Sequence, residues 1–220
     1  MPGTLISLES AQESMQDNRP PVMPFDHYRR KLRSEEINAL PMVRYEGEVR
    51  LVRSERELDE ALAFLAREKL LGFDTETRPS FRKGKLNQPS LIQLAASDRV
   101  FLIQLAFIPL GAGLASLLSD EKILKVGVGI WDDLRELGKL YPFEGAGAVD
   151  LGDLARSFKL PTQGLRNMAA NLMGWRISKG SRCSNWSLPD LSPRQIIYAA
   201  TDAWIGRELY LKMREVRLLP

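Results

Sequence analysis

The sequence holds a single histidine, His27, and a single cysteine, Cys183, among its 220 residues. A Cys/His zinc site needs four such ligands, or three and a water, and is excluded. One thiol forms no internal disulfide, which points to a reducing, cytoplasmic setting. No stretch approaches the roughly 20 consecutive apolar residues of a membrane-spanning helix, and Met1 to Arg19 lacks the apolar centre of a secretory signal. No membrane partner is expected. Internal repeats and long low-complexity tracts are absent too. A strong excess of one charge is also missing: 31 Lys and Arg against 28 Asp and Glu leave +3. Any attraction to a polyanion therefore rests on local clusters of basic residues.

What is present is enough apolar residue for one core, in segments whose period changes along the chain. Residues 1 to 45 have mixed polarity, with Arg19-Pro-Pro21 breaking regular structure, and read as an irregular N-terminal extension with one short helix. Glu48 to Val52 reads as an edge strand. Ser54 caps a helix over Glu57 to Glu68, with Glu57 completing a capping-box pattern. Strands follow at 70–76, 90–96 and 99–104, the last two joined by the polar Ser97-Asp98 turn. A helix is expected over Leu110 to Leu118, a strand over 123–129, a helix over 131–140 and a short strand over 147–151. Helices Gly152 to Phe158 and Leu165 to Met173 precede a loop from Gly174 to Asp190 and a long helix from Ser192. Strands alternating with helices give an α/β layer architecture, and the tight strand pair makes the sheet mixed, with five or six strands flanked by helices. The core domain spans 46–215, with a tail at 216–220.

The chemistry-bearing residues are acids. Asp74 and Glu76 end the apolar run Leu70-Leu71-Gly72-Phe73. Side chains two apart on a strand share a face, so the two carboxylates aim together. Close, buried carboxylates repel, and a cation, a basic partner or bulk water must compensate. Mg²⁺ and Mn²⁺ are hard cations that favour oxygen ligands. Asp-x-Glu alone also serves as a cap or a solvated strand end. Downstream, Val126-Gly-Val-Gly-Ile130 runs through a glycine turn into Trp131-Asp132-Asp133-Leu134. Adjacent residues on a helix point about 100° apart, so at most one of the two acids faces a common site. Asp133, on the side of Leu137, is the choice. Tyr198 and Asp202 lie four apart on the last helix and so share one face.

These motifs, in this order, resemble the DEDD superfamily of 3′-5′ exonucleases, and within it the DEDDy branch of ribonuclease D and the Werner syndrome exonuclease domain. The resemblance runs from about Gly47 to Met213. It is carried by Phe73-Asp74-Thr75-Glu76-Thr77 with Leu91-Ile92-Gln93-Leu94-Ala95, by Val126-Gly-Val-Gly-Ile130 with Asp133, and by Arg182-Cys-Ser-Asn-Trp-Ser187 leading to Tyr198-Ala-Ala-Thr-Asp202-Ala203. The related branch has a histidine five residues before the last Asp; here that position is Ile197. The resemblance implies a ribonuclease-H-like fold and two-metal-ion hydrolysis of phosphodiester bonds from the 3′ end of DNA or RNA, releasing nucleoside 5′-monophosphates. Asp74, Glu76 and Asp202 would hold one Mg²⁺ or Mn²⁺, and Asp74 a second that Asp133 holds directly or through water. Tyr198 would orient the attacking water, since a phenol with a reference pKa of about 10 is a poor base at neutral pH. The chain's length suits a catalytic domain standing alone, with no oligomeric state implied. The rival reading is a non-catalytic nucleic-acid-binding or scaffold module on the same fold, and the presence of all four acids and the tyrosine argues against it.

Basic residues cluster beside these motifs. Arg78, Arg82, Lys83 and Lys85 follow the first; Lys179 and Arg182 precede the third. Arg78, Lys83, Lys179, Arg182 and Asn185 are the expected contacts to a nucleic acid with a 3′ end. Phe81 and Trp186 are candidates to stack on bases, although a buried tryptophan fits the start of a helix equally well.

Overall fold

The computed structural model describes residues 28–79, 87–181 and 183–216. Its frame is one six-stranded mixed sheet, ordered β1-β4-β3-β2-β5-β6, built from β1 (Glu48–Val52), β2 (Leu70–Thr77), β3 (Pro89–Ala95), β4 (Arg99–Gln104), β5 (Leu124–Gly127) and β6 (Ala148–Asp150). The hairpin partners β2, β3 and β4 run antiparallel, while β1 on β4, β5 on β2 and β6 on β5 are parallel. Helices α1 (Ser34–Ala39), α2 (Glu55–Leu65), α3 (Ala112–Ser119), α4 (Ile130–Gly138), α5 (Leu151–Ser157), α6 (Leu165–Met173) and α7 (Pro193–Glu215) complete the described chain.

Strand alternation sorts the sheet into two faces. Leu71 and Phe73 of β2, with Ile92 and Leu94 of β3, pack with α2, α3 and α4 through Leu58, Leu65, Leu114, Ile130, Leu134 and Leu137. Leu91 and Ala95 of β3 turn the other way, to Ala199, Ala200 and Ala203 of α7. Asp74 and Glu76 share the register of Gly72 and so lie on the α7 face, whereas Thr75 lies on the α4 face. This division decides which carboxylates meet.

Close approach of α7 to the sheet requires small residues. A Cβ on Gly72 would meet the Ala203 carbonyl oxygen at 2.0 Å, and one on Gly206 of α7 would meet the Val126 carbonyl oxygen at 3.2 Å. Ser192 accepts from the Gln195 N–H at 3.3 Å, Gln195 Oε1 accepts from the Ser192 N–H at 3.1 Å, and Pro193 opens the first turn, so α7 starts sharply.

Several expected boundaries shift for local reasons. The strand expected over 123–129 stops at Gly127, because Gly129 takes φ +76° and caps α4. The helix expected over 57–68 occupies Glu55–Leu65; Ser54 accepts from the Glu57 N–H at 3.4 Å, but Glu57 Oε2 takes the Arg53 N–H at 2.7 Å instead of closing the box on Ser54. The extension docks on the sheet domain over its described part. Val43 N–H donates to Arg176 O at 2.8 Å, Arg176 N–H donates to Pro41 O at 2.9 Å, and Tyr45 N–H donates to Thr201 Oγ1 at 3.0 Å. No described helix is long and apolar enough to cross a membrane.

One missed feature ties the turns together. Asp150 accepts from Gly152 N–H at 2.7 Å and Asp153 N–H at 3.0 Å at the start of α5, and from Gly129 N–H at 2.8 Å at the start of α4. Asp150→Ala strands three backbone donors and is expected to cost about 2 kcal/mol in urea denaturation, where Asp150→Asn, which keeps the cap acceptor, costs less.

Candidate active site

Asp74 and Glu76 stand at the carboxyl end of β2 and Asp202 on α7, and one carboxylate oxygen from each lies within 4.8 Å of the others. Gly72 sits two residues before Asp74, directly beneath Ala203, so the glycine contact sets the distance from strand acid to helix acid. Tyr198, one turn before Asp202, offers its hydroxyl to the Asp202 carboxylate.

Asp133 enters from the other face. Its Oδ1 accepts from the Thr75 hydroxyl at 2.6 Å, and it lies outside the three-carboxylate group while still acting electrostatically on Asp74. Its neighbour Asp132 is three-quarters exposed and paired with Arg135 at 2.7 Å. Asp74, Glu76 and Asp202 form the close group, and Asp133, held by the Thr75 hydroxyl, stands near enough to Asp74 for its charge to act there.

The electrostatics follow from burial. Asp74 is held well above the usual carboxylate range, first by loss of water and then by the charges of Asp202, Asp133 and Glu76. Burial pushes Asp202 to about 7, against the Tyr198 hydroxyl and Arg166, and pushes Asp133 to about 6, against the Thr75 hydroxyl. The Tyr198 phenol is pushed up by burial and by Asp202 and Glu76, so it stays protonated and acts as a donor. Gln93 faces Asp74 across the β2–β3 pairing; its amide is fully buried and hydrogen-bonds no described residue. Clustered oxygen donors that resist ionisation together, beside an orphaned amide, fit a hard divalent cation.

A cleft of about 460 Å³ opens over these acids, lined by Asp74, Arg166, Asn167, Lys179, Tyr198 and Asp202. Lys179 is thus at the cleft, as expected from sequence. Arg166, on α6, was missed; its Nε donates to the Ile177 carbonyl at 2.8 Å, and it acts on both Tyr198 and Asp202. The signal available was its place in the segment before the last motif, which flanks the cleft. Arg78 is exposed just past β2, its carbonyl accepting from Asn87 Nδ2 at 2.8 Å. Asn185 is engaged within its own loop, its Oδ1 accepting from the Ser187 hydroxyl at 2.8 Å. Trp186 is corrected: at 1 % exposure it packs in the core beside Tyr198, ring centroids 6.0 Å apart, and presents no face to a base. Phe81, Arg82, Lys83, Lys85 and Arg182, with His27, lie outside the described residues.

A mixed sheet in this order, flanked by helices and carrying its acids at the carboxyl end of a central strand, defines the ribonuclease-H-like exonuclease class. The chain belongs to the 3′-5′ exonuclease family, whose sequence profile matches residues 49–217. It is 34% identical over 151 residues to the bifunctional 3′-5′ exonuclease/ATP-dependent helicase WRN of Mus musculus, covering 66% of this chain and 11% of that protein. It is 30% identical over 176 residues to the human exonuclease mut-7 homolog, covering 67% of this chain and 20% of that protein. The chain therefore spans a fifth or less of the length of these two relatives. Among solved structures, the Aedes aegypti Nibbler EXO domain superposes with a TM-score of 0.71 at 27% identity, covering 81% of this chain and 92% of that one. Escherichia coli RNase D shares the fold, with a TM-score of 0.68 at 22% identity over 79% of this chain and 47% of that one.

Proposed function

We propose that this chain is a divalent-metal-dependent 3′-5′ exonuclease that hydrolyses the terminal phosphodiester bond at the 3′ end of DNA or RNA and releases nucleoside 5′-monophosphates. The observation that carries the reading is the convergence of Asp74, Glu76 and Asp202 within 4.8 Å beside the Tyr198 hydroxyl. Asp74, Glu76 and Asp202 would hold one Mg²⁺ or Mn²⁺, and Asp74 with Asp133 a second. Such ions, when bound, supply acidification of water and charge neutralisation at the phosphorus.

The protein's own groups do the positioning. Tyr198 keeps its proton and fixes the water's direction through its hydroxyl. Arg166 and Lys179, on the cleft wall, supply positive charge for the phosphate under attack. Thr75 orients Asp133 through its hydroxyl, which donates to Asp133 Oδ1 at 2.6 Å. The catalytic unit is proposed to span 46–215.

Tyr198→Phe is expected to lower kcat by about 10- to 100-fold, because packing against Trp186 survives and only the hydroxyl is lost. The pH–rate profile keeps the wild-type shape from about pH 6 to about pH 9. A limb present in wild type and missing in the variant would make the phenol a base. Hydrolysis of matched 5′-labelled DNA and RNA oligonucleotides, with and without Mn²⁺, tests the function itself.

A further inference from the structure

A second cavity, of about 400 Å³, meets the cleft at Tyr198 and Asp202, and its remaining walls come from Met42, Arg44, Arg194 and Ile197 among others. Two of these walls are unusual in origin. Met42 and Arg44 belong to the extension, before the family match begins at residue 49, and they are fixed there by the backbone bonds of Val43 and Tyr45 to Arg176 and Thr201. Thr201 in turn donates to the Ile197 carbonyl at 2.6 Å, so extension and α7 form one wall.

The chemistry of this cavity is that of a polyanion with flat apolar groups. Arg194 is exposed at the first turn of α7 and has no ion pair among the described residues. Arg44 pairs with Glu46 at 3.4 Å, both side chains being at least 65% exposed, a pairing that costs little to exchange. The start of a 23-residue helix adds positive potential. Met42, 53% exposed, and the partly buried Ile197 offer an apolar surface. The acid bordering it, Asp202, is the one shared with the cleft. A nucleic acid strand cut above Asp74 and Asp202 must continue past Tyr198, and this cavity adjoins that point.

Resting on the function proposed above, we infer that this cavity is a second nucleotide subsite for single-stranded nucleic acid, in which Arg44 and Arg194 take a phosphate of the nucleotide next to the one being cut while Met42 and Ile197 bear its base. The extension is then part of the substrate-binding surface.

The test is fluorescence anisotropy of a labelled eight-nucleotide single strand, oligo(dT) or oligo(U), in Mg²⁺, with Asp74→Asn as the non-cleaving background. Adding Arg44→Ser with Arg194→Ser is expected to raise Kd by about 10-fold or more, and to flatten the slope of log K against log salt by about 0.7, the value for one lost single-strand phosphate contact. Arg44→Lys with Arg194→Lys restores most of the slope, since charge is kept. Met42→Ser raises Kd by about 3-fold with the slope unchanged. The double serine variant, its fold checked by circular dichroism, overturns the inference if Kd and slope stay within twofold of the background. If the background protein binds such an oligonucleotide and the arginine changes have no effect, only the subsite falls. If it binds none, the exonuclease reading falls with it.

Discussion

Asp74→Asn is expected to remove the proposed hydrolysis and to make the metal-free protein more stable. Activity is expected to drop by about 10³-fold or more, because the carboxylate shared by both proposed cation positions is lost. Stability moves the other way. Asp74 is partly buried among Asp202, Asp133 and Glu76, and its pKa stands well above the ordinary value. A carboxyl whose pKa is higher in the fold than in the unfolded chain favours the fold while protonated, and that contribution is lost as pH climbs through the folded value. Asp133 at about 6 and Asp202 at about 7 behave alike. Without divalent cations the wild-type protein therefore loses stability from about pH 4 to neutrality, and the amide relieves part of that loss. The expected gain at pH 7.5 is about 1–2 kcal/mol, or a few degrees in Tm, shrinking toward pH 4. Differential scanning calorimetry in EDTA at the two pH values measures it, and added Mn²⁺ should raise the Tm of wild type more than that of the variant.

Gly72→Ala should damage both fold and activity from a position that carries no chemistry. The new methyl would lie 2.0 Å from the Ala203 carbonyl oxygen, a backbone atom that no side-chain rotation clears. Helix α7 must lift from β2, at a cost of about 3 kcal/mol in urea denaturation. Asp202 and Tyr198 ride on the same turn of α7, so their distance to Asp74 grows, and a displacement of about 1 Å suffices for about a 100-fold loss of kcat/KM. A variant that unfolds at the wild-type urea midpoint would show that α7 does not bear on Gly72.

The helix and strand pattern was legible because it depends on local sequence: the alternation through β2, the start of α7 at Ser192 and the leucine spacing of α4 each survive burial unchanged. The three clustered acids were legible for the same reason, two by strand alternation and Asp202 by its spacing from Tyr198. What escaped depends on contacts between distant segments. Gly72 looks like any strand glycine until Ala203 lies on it. Asp150 looks like the end of a strand until the α4 turn presents Gly129 to it. Asp133 shows by spacing which way it faces on its helix, but not that α4 packs on the Thr75 face of the sheet. Trp186 is equally plausible as a platform or as core, and only the packing of its loop on Tyr198 and Leu191 decides it. Arg166 carries no motif of its own and becomes notable where α6 meets the cleft.

The most direct test of the central claim is the fate of single-stranded DNA and RNA oligonucleotides labelled at the 5′ end and incubated with the purified protein in Mg²⁺ or Mn²⁺. The expected result is a ladder of products shortened one nucleotide at a time from the 3′ end, abolished by EDTA and absent with Asp74→Ala. Intact oligonucleotide under every metal condition, or a ladder that persists with Asp74→Ala, would contradict it.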